Sequence, residues 1–219
     1  MNNLNEVVPA ILTDDPKALE NMVHQAETFT NWVQFDIMDG RFVQSRSISH
    51  QQLARLPMKI SWEAHLMVEE PENYLEDFKK AGAQKVIFHH EATCSPEEVI
   101  AVARGLGLEI GLAINPDTPI SAILSLTDKV DSILFLSVYP GFYGRTFIPE
   151  VLDKIIEFKG LYPDKETGID GGVKEGNITQ IAKTGINFIY AGSAIFHQNN
   201  PADSYRHLSI LAREASASL

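Results

Sequence analysis

The sequence predicts an α/β protein, a single (β/α)8 TIM barrel over residues 1–219. Three observations lead there. Short apolar runs alternate with longer amphipathic segments from end to end. The alternation repeats roughly eight times, with strands ~20–30 residues apart, the period of a βα unit. No linker, low-complexity tract or block of like charge interrupts it. Strands that alternate with helices form a parallel sheet. Eight such units in this length suit a closed barrel better than an open doubly wound sheet.

Each unit can be read in order. Residues 7–12 form a buried strand, and Asp14-Asp15-Pro16 opens a helix with proline early and acids at the positive dipole end. Met22, Val23, Ala26 and Phe29 follow at helical spacing. A second strand covers 32–37, and a long connection through 41–49 leads to a short helix near 51–56. The third strand is 60–67, and its helix, 71–81, is closed by Gly82. The fourth strand is 85–89, followed by a helix from Ser95-Pro96-Glu97-Glu98 to about residue 106. The fifth strand, 109–114, leads to a helix near 120–126, and the sixth, 132–138, to a helix over 149–161. A short strand ends at Ile169, a helix covers 177–184, the eighth strand is 188–191, and a helix over 202–214 closes the chain.

Composition narrows the partners. Lys and Arg number 18 against 29 Asp and Glu, a net charge of −11, which repels nucleic-acid backbones and acidic membrane surfaces. A phosphorylated small molecule stays open, because a local pocket can oppose the net field. The single cysteine, Cys94, cannot form an internal disulfide, which fits a reducing compartment. Residues 1–6 lack the basic flank and apolar core of a signal peptide. No apolar run reaches the ~18–20 residues of a membrane helix. The expectation is a soluble, cytoplasmic protein with no nucleic-acid or membrane partner.

In such a barrel the chemistry sits at the C-terminal ends of the strands. Asp36 and Asp170 each follow an apolar run there, on nearly opposite strands with His65 between. An acid after a strand is equally often a turn former or helix cap. Two of them with a histidine can bind a divalent metal or shuttle protons. Gln34 lies two residues before Asp36 and so shares its face, and Glu63, His65 and Met67 share one face of the third strand. His89 and His90 are adjacent and face opposite sides; they read as one inward structural histidine and one packed against a helix, with Glu91 capping the next helix. Glycine clusters at Gly141-Phe142-Tyr143-Gly144, Gly171-Gly172 and Gly192-Ser193 end three consecutive strands. Glycine lets backbone N–H groups approach an oxyanion, and the last two loops are the usual phosphate grip of this architecture.

These residues resemble the ribulose-phosphate 3-epimerase family, nearly end to end. The most specific matches are residues 35–43, 64–68, 140–144 and 169–173, with 113–119 and 147–149 alongside. The resemblance implies interconversion of D-ribulose 5-phosphate and D-xylulose 5-phosphate through an enediolate. It implies Asp36 and Asp170 as the acid/base pair. It also implies a divalent metal (Zn, Mn, Fe or Co) held by Asp36, His65, Asp170 and the residue at Gln34. The three glycine clusters would bind phosphate, Met38 and Met67 would floor the pocket, and Ala10 and Leu136 would lie in it. A homo-oligomer is consistent with it, since barrels of this family often associate.

The chain departs from the family pattern at several mouth positions. Gln34 replaces a histidine ligand, Ala10 a serine, Gln44-Ser45 a Pro-Asn pair, Leu136 a methionine and Tyr139 an asparagine; Tyr143 and Arg145 replace smaller or neutral residues. An amide oxygen is a poor zinc ligand but suits harder cations. Three readings stand: the family's epimerase with an altered metal site, a related isomerase on another sugar phosphate, or a sugar-phosphate-binding barrel with little turnover.

Overall fold

The computed structural model describes residues 5–141 and 146–216. Eight strands run in chain order: β1 (Glu6–Ile11), β2 (Trp32–Met38), β3 (Ser61–Met67), β4 (Lys85–His89), β5 (Glu109–Ile114), β6 (Ser132–Leu136), β7 (Glu166–Asp170) and β8 (Phe188–Ala191). Each pairs in parallel with the next, and β1 also pairs with β8, so the sheet closes into a barrel. The connecting helices are α1 (Pro16–Ala26), α2 (His50–Arg55), α3 (Leu75–Ala81), α4 (Pro96–Gly105), α5 (Val151–Leu161), α6 (Glu175–Ala182), α7 (Ser193–Phe196) and α8 (Pro201–Ser216).

The predicted (β/α)8 barrel is therefore present; two local expectations are corrected and one element is new. No α-helix follows β5; 3-10 turns occupy Ile120–Ala122 and Thr127–Lys129 instead. Ile120, Ile123 and Leu126 are buried at strict three-residue spacing, the period of a 3-10 rather than an α-helix. The helix expected over 71–81 splits into a 3-10 turn, Pro71–Asn73, and α3, because Asn73 and Tyr74 bond back only three residues. The one-turn α7 after β8 was not anticipated; its first residue follows Gly192, whose carbonyl accepts from Ile195 and Phe196.

Local chemistry explains the rest. Asp15 caps α1 by accepting from the Lys17 N–H at 2.9 Å, and Pro16 takes the first helical position. Gly82 ends α3 in the left-handed region at φ 106°. Most of the apolar core lies between sheet and helices, with Phe35, Phe88, Phe135 and Phe158 fully buried. Each such side chain contributes about 1.5–3 kcal/mol by leaving water. A smaller cluster fills the barrel itself: Val8, Ala10, Ile87, Ala113, Leu134, Leu136 and Tyr190. Below it, the Lys85 ammonium is buried 3.0 Å from Glu166 and 3.5 Å from Glu63, a paired charge plugging the N-terminal end. The site is thus confined to the opposite mouth. Among the described residues, no helix is long and apolar enough to cross a membrane.

Candidate active site

β2 turns Gln34, Asp36 and Met38 toward the barrel axis, and β3 turns Glu63, His65 and Met67 there. Their register sets Asp36 beside His65 and Met38 beside Met67. Asp170 ends β7. β7 is reached from β2 through β1 and β8, so the two acids are three strands apart in a barrel where four is the most possible, nearly opposite as expected, and His65 lies on β3, outside the shorter arc. The side chains nevertheless converge. His65 Nδ1 is 2.9 Å from Asp36 Oδ1 and 3.4 Å from Asp170 Oδ2. The Gln34 amide NH2 donates to both acids, at 3.0 Å to Asp36 Oδ1 and 3.2 Å to Asp170 Oδ2.

The buried setting shapes the protonation states. Burial and the charge of Asp170 push the Asp36 carboxyl up to about 6, against the opposing hydrogen bonds of His65 and Gln34. Burial alone lowers His65, but its hydrogen bonds to Asp170 and Asp36 outweigh this and hold it up to about 9. Between these values the site holds an imidazolium against ionised Asp36.

The cavity above is lined by Ala10, Met38, Met67, Leu136, Gly141, Gly171, Gly172, Gly192 and Ser193. Met38 and Met67 sit one layer nearer the mouth than Asp36 and His65, so they line its side. Gly171 and Gly172 have φ of +114° and +65°, and a Cβ on Gly171 would meet a Val138 methyl at 2.5 Å. Both positions need glycine. Phe142, Tyr143, Gly144 and Arg145 lie outside the described residues.

Several partners escaped the sequence reading. The Ser47 hydroxyl donates to the Asp36 carbonyl at 2.7 Å and accepts from the Met38 N–H at 2.9 Å, which fixes the end of β2. The Ser137 hydroxyl lies 3.0 Å from the Asp170 carbonyl and 2.6 Å from that of Gly171, holding the end of β7. His89 is not a bystander: its Nε2 is 2.9 Å from His65 Nε2, and the two rings stack with centroids 5.1 Å apart. Burial, then the neighbouring His65, lowers His89 to about 4, against the pull of Glu91. Glu91 does not cap α4. It accepts from the Asn115 N–H at 2.9 Å and from the Thr118 hydroxyl. Burial would raise its carboxyl, but the adjacent His89 ring and the bonds from Thr118 and Asn115 outweigh this and bring it down to about 2.

The donor set fits a divalent cation. Ligand atoms of Asp36, His65 and Asp170 lie within 4.8 Å of one another, two carboxylates and an imidazole. The Gln34 Oε1 is buried without a hydrogen-bond partner; turning the amide to present this oxygen to a cation would exchange its two bonds to the acids for one metal contact.

Comparison with known proteins identifies the family. Residues 6–196 match the model of the Ribulose-phosphate 3 epimerase family. A ribulose-phosphate 3-epimerase of Synechocystis is 39% identical over 209 residues, covering 90% of each chain. That of Schizosaccharomyces pombe is 33% identical over 204 residues, also covering 90% of each. Among solved structures, a 3-hexulose-6-phosphate synthase from Salmonella typhimurium superposes with TM-score 0.71 at 14% identity, over 96% of this chain and 99% of the other, a likeness of fold alone. The chain belongs to the ribulose-phosphate 3-epimerase family.

Proposed function

We propose that this chain interconverts D-ribulose 5-phosphate and D-xylulose 5-phosphate by moving one proton at C3. The observation that carries the proposal is the convergence of Asp36 and Asp170 on one buried histidine. A proton α to a carbonyl leaves only when a base takes it and the resulting negative charge is stabilised. Inversion needs a second group on the other face, since a lone base returns the proton to the face it left.

The site supplies both. One aspartate starts as carboxylate and takes the C3 proton; the other starts protonated and delivers its proton to the opposite face. The two protonation states are exchanged at the end. An acid whose carboxyl sits at about 6, as Asp36 does, is poised for either role near neutrality. The His65 ring holds the two carboxylates in register from one side, and the Gln34 amide does so from another. Asp36, His65 and Asp170, with the turned Gln34 oxygen, would hold a divalent metal (Zn, Mn, Fe or Co). A set of three oxygens and one nitrogen favours the harder of these cations. When bound, that metal supplies Lewis-acid stabilisation of the enediolate oxygens.

Gly141, Gly171, Gly172, Gly192 and Ser193, together with Phe142, Tyr143 and Gly144, bind the phosphate in this reading. The support is that all the described members line one rim above the acids. Ala10, Met38, Met67 and Leu136 shape the sugar pocket. A cytoplasmic setting belongs to the same proposal, supported by the one cysteine, Cys94, being a free thiol.

The test is proton NMR of the purified protein with D-ribulose 5-phosphate in D2O. Deuterium should enter C3 as xylulose 5-phosphate appears. Exchange confined to another sugar phosphate points to a related isomerase, and phosphate binding with no exchange points to a binding protein.

A further inference from the structure

His65 reaches the acids with Nδ1, so its other ring nitrogen decides how the ring is held. That nitrogen, Nε2, is 2.9 Å from His89 Nε2, and both rings are fully buried. Two ring nitrogens at this distance share one hydrogen, so one donates and the other accepts. The geometry beyond His89 decides which.

Glu91 faces His89 with one oxygen and the chain beyond with the other. Its Oε1 accepts from the Asn115 N–H and the Thr118 hydroxyl. Its Oε2 lies 3.5 Å from His89 Nδ1, an ion-pair distance longer than a well-formed hydrogen bond. A carboxylate only accepts, so a bare Nδ1 lone pair there would be repelled. The His89 hydrogen therefore stands on Nδ1, toward Glu91. Its Nε2 is left as the acceptor, and His65 donates.

The loop carrying the far anchors is itself held. Lys154 Nζ reaches the carbonyls of Pro116 and Thr118 at 2.5 and 2.7 Å, which steadies the segment that fixes Glu91. The sequence of contacts thus runs from the loop after β5, through Glu91 after β4 and His89 on β4, to His65 on β3.

We propose that His89 is a positioning residue: with Glu91 behind it, it accepts the Nε2 hydrogen of His65, so that Nδ1, a donor to the acids in the metal-free imidazolium, is the nitrogen left for any cation they hold. A second imidazole does here what a carboxylate or carbonyl does behind most metal-binding histidines. The proposal rests on the reading of His65 as a ligand in the proposed site, but its ring-nitrogen readout does not.

The test uses the full-length protein freed of metal, with histidine ring nitrogens followed by 15N NMR and Zn2+ alone as the binding probe. Glu91→Gln is the informative variant. The Asn115 and Thr118 donors need an oxygen, so the new amide turns its NH2 toward His89 Nδ1. That donor drives the His89 hydrogen to Nε2, against His65. The ring-nitrogen signals of both histidines should move, and Zn2+ affinity should fall about 10- to 100-fold, the usual effect of losing such a partner. His89→Leu should lose affinity to the same extent, and His89→Gln, which keeps an acceptor, should stay within a few-fold of the parent. Unmoved ring signals in Glu91→Gln would overturn the proposal, as would parent-like Zn2+ binding by His89→Leu. A parent protein that shows the predicted ring pattern yet epimerises nothing would count against the epimerase reading alone.

Discussion

The Gln34 amide nitrogen sits 3.0 Å from Asp36 Oδ1. It reaches Asp170 with the same NH2 group, so one neutral side chain cross-links the two acids at the position to which the sequence resemblance assigns a ligand histidine. The bonds hold the carboxylates together, while the buried Oε1 is left without a partner. Such an orphaned acceptor costs about 1–3 kcal/mol unless a cation or water meets it.

Gln34→His should therefore raise affinity for Zn2+ by tenfold or more, because imidazole replaces an amide oxygen among four converging donors. Calorimetric titration of the metal-free protein measures it. An unchanged affinity would mean that residue 34 stands outside the ligand set.

The rim glycines divide conformational need from phosphate contact. Gly172→Ala places a Cβ at φ +65° and 3.1 Å from the Phe147 backbone, so unfolding stability should fall by about 1–2 kcal/mol. Gly192→Asp adds a charge beside the cavity and should raise KM for the sugar phosphate at least tenfold with a smaller effect on kcat. Denaturant unfolding checks the first and steady-state kinetics the second; an unaltered KM would remove the β8 loop from the phosphate grip.

The protonation pattern predicts a slope of stability with pH. His65, faced by Asp36, Asp170 and His89, is raised from 6.5 to about 9 in the folded metal-free chain. Its contribution is complete below about pH 6.5 and is lost as pH rises through 9, on the order of 3 kcal/mol in all. His89 acts in the opposite sense and lower: it contributes above about 6.5 and loses this as pH falls through 4. Asp36 changes between its ordinary value and about 6. The window from 6.5 to 9 therefore isolates His65 among these three. Urea unfolding across that window should show falling stability in the parent and a flatter profile in His65→Gln.

Much of this was legible in the sequence, for identifiable reasons. Strands buried on both sides are written as apolar runs, so all eight were found near their true ends. The period of two put Gln34 with Asp36, and the end of β7 supplied Asp170. The segment after β5 misled because Ile120, Ile123 and Leu126 satisfy a helical pattern while their strict spacing of three selects a tighter turn. His89 was set aside because its role depends on register. The partner of His65 on β4 is Ile87, and His89 lies two residues farther along the same inward face. Glu91 looked like a helix cap because α4 begins a few residues later, whereas its oxygen is taken by Asn115 and Thr118 from the next loop. Contacts between strands are written in the barrel's closure and stagger, which no local pattern carries.

Two acids serving opposite faces of one carbon are the core of the proposed mechanism, and proton exchange in single variants tests this most directly. Asp36→Asn and Asp170→Asn should each lose interconversion by about 10²–10⁴-fold. Each should still exchange the C3 hydrogen of one epimer with D2O, and the two variants should exchange different epimers, because the remaining acid returns deuterium to the face it serves. Exchange of the same epimer by both variants, or parent-like interconversion by either, would contradict it.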